Sequence, residues 1–329
     1  MPPYIPVYPD LAWLLMSTIV PQIKLSENGP SVSRIIYGTW HMTGVDQNNE
    51  HTLSTPENIL SRIKACLAAG ITTFDLSDLY GFYQFEAMFG EALKLEPEIK
   101  DQIQIITKTD IVKPCEAVPK CRLKHYNTSR EYILQQVNRS LEMLGVKHIE
   151  LLLLHRQDML MDADEVAEAF KLLHSEGKVL YFGGSNFTIQ HFKLLQSRLP
   201  FPLVSNQFEF SPYEMSALTD DRLDYFQRKR IATMAYSPLG SGRLFSKNPD
   251  EQTRRLRAVL EQIAADLGPD VTIDQVCYAW IMMHPAKICP VIGTTSLDRI
   301  LTAAKSVRLV LDRQQWTEIW SASTGTQVP

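Results

Sequence analysis

Hydrophobic residues along this chain fall into two alternating kinds of segment. Short continuous runs rich in Ile, Val, Leu and Phe occur at RIIYGTW (34–40), TTFDLS (72–77), IQIITK (103–108), IELLLLH (149–155), VLYFGGSN (179–186), LVSNQFEF (203–210), IATMAYS (231–237) and ICPVIG (288–293). Lacking in–out alternation, each reads as a strand buried on both faces. The segments between them carry helical periodicity. Thr55-Pro56 opens one that places Ile59, Ile63 and Leu67 on one face and stops at Gly70. Thr128 to Glu131 has capping-box spacing, ahead of a helix that turns Ile133, Leu134, Val137, Leu141 and Leu144 inward and closes at Gly145. A third, near 164–176, buries Val166, Phe170 and Leu173 before Gly177.

Buried strands that each lead into an amphipathic helix are the signature of a parallel sheet covered by helices. Eight such units without a linker predict an α/β fold of the closed (β/α)8 TIM-barrel type rather than two doubly wound halves. Segment 16–33 reads as a β-hairpin capping the barrel bottom, and 253–268 and 313–322 as two extra helices. The apolar stretch LAWLLMSTIV (11–20) follows Asp10 rather than a basic region and is too short to span a bilayer. Residues 1–20 are therefore expected to form an N-terminal extension, and 21–329 a single barrel domain.

Composition narrows the partner. The 329 residues are 45% hydrophobic with a formal net charge of -4, which supplies no basic field for nucleic acid or acidic membranes. A small molecule is expected instead. Cys66, Cys115, Cys121, Cys277 and Cys289 are odd in number and lack a CxxC rhythm, pointing to reduced thiols in a cytoplasmic protein. Cys115, Cys121 and His125 fall one ligand short of a metal site, so no metal is expected.

In such a barrel, reactive groups sit where strands end. The polar residues there are Gly38-Thr39-Trp40, Asp75 with Tyr80, Lys108, His155, Ser185-Asn186, Gln207 and Tyr236-Ser237. Asp75, Tyr80, Lys108 and His155 follow strands two, two, three and four, and so can share one mouth. An ammonium beside a phenol favours the phenolate and lowers its pKa, and Asp75 can hold that ammonium in place. Tyr80 then serves as a proton donor to a carbonyl oxygen, with His155 orienting it. No side chain offers the matching nucleophile, but a hydride from a nicotinamide does. PLGSGR (238–243) lacks GxxxxGK spacing and no GxGxxG follows the first strand, so P-loop and Rossmann readings fail.

With these residues in order, the chain resembles the aldo/keto reductase family. FDLSDLYG, IITK and ELLLLH carry an Asp-Tyr-Lys-His tetrad, and GTW (38–40), GGSNF (183–187), SNQFEF (205–210), AYSPLG (235–240) and IGTTSLDRI (292–300) match its cofactor positions. The resemblance runs from about residue 22 to the C-terminus. It implies that Tyr80 is the general acid, Lys108 its pKa tuner, Asp75 the partner of Lys108, and His155 the group orienting the substrate. It further implies NADP(H) as cofactor, bound by Gly38, Thr39, Trp40, Ser185, Asn186, Gln207, Tyr236, Ser237, Leu239, Gly240, Gly242, Gly293, Thr294, Thr295 and Arg299. Ser185, Asn186 and Gln207 would hold the carboxamide, Tyr236 would stack on the nicotinamide, and Thr294 and Arg299 would meet the 2'-phosphate. Gly293 and Ala303 depart from a lysine and an asparagine common in relatives.

The expected activity is reduction of an aldehyde or ketone by an NADP(H)-dependent oxidoreductase. The alternative is a catalytically weak nucleotide-sensing regulatory subunit of the same fold. The loop 109–129, with Trp40, Tyr83 and Arg122, is expected to wall the substrate pocket, and the protein to be a monomer or small homo-oligomer.

Overall fold

The computed structural model describes residues 20–44 and 54–328, so the expected extension, Val20 apart, lies outside the described residues. A hairpin comes first: β1 (Gln22–Lys24) pairs antiparallel with β2 (Ser31–Ser33). Eight parallel strands then close into a barrel in chain order. They are β3 (Ile36–Gly38), β4 (Thr73–Asp75), β5 (Gln104–Thr109), β8 (Ile149–Leu154), β9 (Val179–Ser185), β10 (Leu203–Glu209), β11 (Met234–Tyr236) and β12 (Cys289–Ile292). Each coincides with one of the apolar runs. The missing two, β6 (Ile111–Val112) and β7 (His125–Tyr126), form a short antiparallel ribbon inside the loop after β5.

The barrel interior is filled by Ile36, Ile106, Leu151, Leu153, Val204, Met234, Cys289 and Val291, and the hairpin residues Leu25 and Val32 belong to the same cluster. Leu25 O also accepts a hydrogen bond from Ala232 N at 2.6 Å. The hairpin is thus the floor of the barrel, which leaves the opposite, C-terminal mouth for the site.

Outside, Pro56–Ala68, Phe85–Leu95, Arg130–Leu144, Ala163–Ser175 and later helices cover the strands with their apolar faces. Glu251–Leu267 and Arg313–Thr324 are the two extra helices, and they pack on each other. Trp280 and Trp316 stack at 5.0 Å and exchange indole-to-carbonyl hydrogen bonds of 3.0 and 3.1 Å. One cap differs from expectation. Helix Arg130–Leu144 starts on Ser129, whose hydroxyl accepts from Tyr132 N. Thr128 is instead turned away, its hydroxyl donating to Asp158 Oδ2 at 2.8 Å. A tertiary acceptor outcompetes the local cap.

Helix Phe85–Leu95 approaches the end of Arg130–Leu144 through Gly90, where an added Cβ would run into the Met143 carbonyl. Backbone offers no give, so Gly90→Ala should lower stability by about 1–3 kcal/mol. The urea midpoint of the variant against wild type checks this.

Candidate active site

Pleat and register bring the predicted tetrad together. Asp75, the last residue of β4, stands opposite Ile106 of β5, and Lys108 lies two residues further along the same inward face. Lys108 Nζ reaches Asp75 Oδ2 at 2.7 Å, Leu76 O at 2.8 Å and Tyr80 Oη at 3.3 Å. The ammonium is 1% exposed and makes three hydrogen bonds, so its full donor capacity is met without water. The second oxygen of Asp75 accepts Gln207 Nε2 at 2.9 Å.

Tyr80 is delivered by a tight turn. Asp78 N binds Lys108 O at 3.0 Å and Tyr80 N binds Ser77 O at 3.1 Å, pinning the loop to β5. Gly81, Phe82 and Tyr83 then take positive φ in succession. Non-glycine residues there cost on the order of 1–3 kcal/mol each. The Tyr83 hydroxyl helps to hold the turn, donating to Ile111 O at 3.0 Å and accepting from Lys113 N at 3.2 Å. His155 follows β8, its backbone N bound to Thr109 O and its Nδ1 3.1 Å from Ser77 Oγ. Tyr80 meets both Trp40 and His155 edge-on, with ring centroids 5.0 and 6.1 Å away.

Burial dominates the electrostatics. It pushes the Tyr80 phenol up, with the Lys108 charge pulling in the opposite direction but not prevailing. The expectation of a lowered phenol pKa is thereby corrected: desolvation of the phenolate outweighs one ammonium already shared with Asp75. For Lys108, burial favours the neutral amine, yet Asp75 and Tyr80 override it and its pKa rises. His155 is driven well below its ordinary value by burial and then by Lys108, Arg156 and Lys124, so the imidazole is neutral. Buried Asp78 is pushed up to about 7 by desolvation and by Glu86.

These groups open into a cleft of about 730 Å3. Asp75, Tyr80, His155, Gly38, Trp40, Ser185, Asn186, Gln207, Tyr236, Ser237, Leu239, Gly242, Gly293, Thr294, Thr295 and Arg299 all line it. Three predicted residues do not. Lys108 stands behind Tyr80, Thr39 is buried with its hydroxyl on Asp75 O at 3.0 Å, and Gly240 packs with positive φ against the Tyr213 ring. Gln207 keeps its place on the wall, but its amide nitrogen is spent on Asp75. Tyr236 Oη donates to Asn186 Oδ1 at 2.8 Å, fixing the ring in the wall.

Of the expected substrate wall, Trp40 and Ile111 from the loop line the cleft, whereas Tyr83 is buried beneath it and Arg122 is absent from the lining. Lys124 and Arg156 take that place, and neither makes a salt bridge among the described residues. Arg156 was open to discovery, since it directly follows His155 at a strand end. Lys124 belongs to the loop 109–129 expected to wall the pocket, and it sits beside the β7 strand. His41 and Phe245 flank the far end of the cleft, and Asp274 comes from a helix start rather than a strand end. Among the described residues no cluster of three or more His, Cys, Asp or Glu is arranged to hold a metal.

The model of the aldo/keto reductase family matches residues 34–324. The chain belongs to the aldo/keto reductase family. It is an oxidoreductase by that membership, and the family generally uses a nicotinamide cofactor. It is 42% identical to the uncharacterized oxidoreductase YcsN of Bacillus subtilis (strain 168) over 308 residues, 94% of this chain and 99% of the relative. A 6-dehydroglucose reductase of Agrobacterium fabrum is also 42% identical, over 90% of this chain and 96% of its own. Among solved structures, the thermostable aldo-keto reductase Tm1743 superimposes with a TM-score of 0.76, covering 92% of this chain and 99% of that one at 22% identity, a likeness of fold. No helix among the described residues of this reductase is long and apolar enough to cross a membrane.

The ion pair yields a stability prediction. Asp75→Asn strands a buried ammonium and should cost about 3–5 kcal/mol at pH 7, whereas Asp75→Leu combined with Lys108→Met should recover much of that loss. Because the folded lysine pKa is raised, the pair's contribution is present below the unfolded value near 10.4 and fades only as pH rises through the folded one. Urea unfolding of the three proteins at pH 7 and in steps above pH ~10.4 measures both effects.

Proposed function

We propose that this reductase converts an aldehyde or ketone to an alcohol with NADP(H), and that Tyr80 gives the proton. The observation that carries the reading is the Tyr80 hydroxyl held 3.3 Å from the Lys108 ammonium, beside a neutral His155, at the head of the cleft. The raised phenol stays protonated and ready to donate at neutral pH. As its proton passes to the carbonyl oxygen, Lys108 stabilises the phenolate left behind, an interaction stronger in the transition state than before it. His155 donates an N–H to the same oxygen. Trp40 and Tyr236 wall the reacting centre.

The rest of the cleft fits the cofactor. Ser185, Asn186 and Gln207 put amide and hydroxyl groups at the reacting end. At the other end the Arg299 guanidinium stacks over Phe245 at 5.7 Å and makes no side-chain hydrogen bond among the described residues. Its planar donors are thus available to a phosphate. Ser296 caps helix Leu297–Lys305, whose N-terminal amides face the same region. Gly242 has open space where a Cβ would stand, so backbone can approach a ligand there, whereas the Cβ position of Gly293 is taken by the His41 ring, 2.8 Å away. A nicotinamide held there would supply the hydride to the carbonyl carbon. With no lysine at Gly293, some NADH use should persist.

At the substrate end, apolar Trp40, Leu79 and Ile111 stand with the cations Lys124 and Arg156. Such a wall suits an oxygen-rich carbonyl compound. The name of the Agrobacterium relative makes 6-dehydroglucose the first compound to test.

Tyr80→Phe should cut carbonyl reduction by about 10²- to 10⁴-fold while leaving the NADPH dissociation constant nearly unchanged. An NADPH-oxidation screen of aldehydes, ketones and sugar aldehydes tests the activity itself, and absence of turnover despite tight NADPH binding would favour the regulatory alternative. Arg299→Ala should weaken NADPH by about tenfold or more and NADH little, since charge-assisted hydrogen bonds contribute roughly 1.5–3 kcal/mol. Fluorescence titration with both cofactors reads the ratio, and an unchanged ratio would move the 2'-phosphate elsewhere.

A further inference from the structure

His155 carries a choice that the tetrad alone does not make. A neutral imidazole has one N–H, and only a proton on Nε2 lets it donate toward the cleft while Nδ1 faces the protein. Nδ1 lies 3.1 Å from Ser77 Oγ, and Nε2 has no hydrogen-bond partner among the described residues. Ser77 is fully buried in the turn that carries Tyr80. Its oxygen already accepts Leu79 N at 3.3 Å, which leaves its single proton to place. The acceptors within reach are His155 Nδ1 at 3.1 Å, Lys108 O at 3.3 Å and Asp78 Oδ1 at 3.4 Å.

We propose that Ser77 is a positioning residue for the carbonyl reaction: its hydroxyl donates to His155 Nδ1 and thereby fixes the tautomer that presents Nε2–H to the substrate oxygen. Nδ1 is the nearest acceptor. The Lys108 carbonyl also accepts Asp78 N at 3.0 Å, so it is not left bare when the hydroxyl turns to the imidazole. Asp78 is the farthest of the three, and its Oδ2 is already served by the Thr109 hydroxyl at 2.7 Å. Burial further disfavours the charged carboxylate that would compete best for the proton. The opposite tautomer would turn a bare nitrogen lone pair on the carbonyl oxygen. Placing Ser77 and Tyr80 in one turn means that the proton donor and the imidazole's orienting group move together.

The inference rests on His155 facing the carbonyl, as proposed above, and its test is separable from that reading. Protein carrying 15N-labelled histidine gives the His155 tautomer directly by NMR, with no substrate present. The expected result is a protonated Nε2 and a bare Nδ1 in the wild type. Ser77→Ala should release the ring to a mixture of tautomers and lower kcat/KM for the carbonyl by about three- to tenfold, the scale of one lost hydrogen bond. Its NADPH dissociation constant should stay unchanged, and Ser77→Thr, which keeps the hydroxyl, should restore the single tautomer. A wild-type ring protonated on Nδ1 overturns the proposal even if the alanine variant fails to fold, as does a folded Ser77→Ala protein with unaltered tautomer and kinetics. A protonated Nε2 in a protein that reduces no carbonyl compound would sink the reductase reading and leave the hold of Ser77 on the ring intact.

Discussion

An ammonium and a carboxylate, both taken out of water at the ends of adjacent strands, set the terms for the site around them. Lys108 and Asp75 meet because β4 and β5 are in a fixed register, and the barrel closure that fixes it leaves no edge along which the strands could slip. Such a pair contributes little net stability when compared with apolar side chains of the same size. Its value is positional. The carboxylate has two oxygens, one on Lys108 and one on Gln207, while the ammonium divides itself between Asp75, the Leu76 carbonyl and the Tyr80 phenol. One buried charge pair therefore ties three strands and the loop after β4 to a single geometry.

Low dielectric magnifies every other group nearby, and the sign of each effect follows from which form is charged. A phenol and a carboxylic acid become harder to ionise, and an imidazole becomes harder to protonate. Tyr80, Asp78 and His155 are all moved in those directions by the same burial. Lys108 keeps its charge because it has an anionic partner, Asp75, at hydrogen-bond distance and a full set of acceptors. The result is a site with one fixed pair and several neutral polar groups, in which the phenol keeps its proton.

How much of this was legible beforehand depended on whether a property was local. All eight barrel strands show in the sequence because a strand buried on both faces must be continuously apolar, and the polar residue that ends such a run must sit at the mouth. Asp75, Lys108, His155 and Gln207 were found by that rule alone. The net direction of the Tyr80 pKa was not, since it depends on how deeply neighbouring loops bury the ring. Thr128 lost the cap of its helix to Ser129 because its hydroxyl finds Asp158 thirty positions away, a distance no window on the chain sees. Tyr83 and Arg122 gave way to Lys124 and Arg156 for a related reason. The β6–β7 ribbon decides which side of the long loop faces the cleft, and its strands are only two residues each.

The two ends of the cleft are built on different physics. The reacting end draws on groups that are almost wholly buried, each satisfied by more than one partner, so a change in one disturbs the others through shared hydrogen bonds. The far end lies on the last βα unit, where Arg299 rests on the half-exposed Phe245 ring and Gly293 leaves room for His41. Contacts there are few, solvent-screened and nearly independent. On the proposed reading, substitutions near Arg299 shift the choice of nucleotide in small, roughly additive steps, while the pair of Lys108 and Asp75 tolerates replacement only of both members together. The substrate wall stands between these regimes. Lys124 and Arg156 come from separate loops and carry charge without a salt bridge among the described residues, close enough to help keep His155 neutral. A change of either cation therefore also acts on the imidazole, so on the proposed reading substrate choice and proton transfer are tuned together.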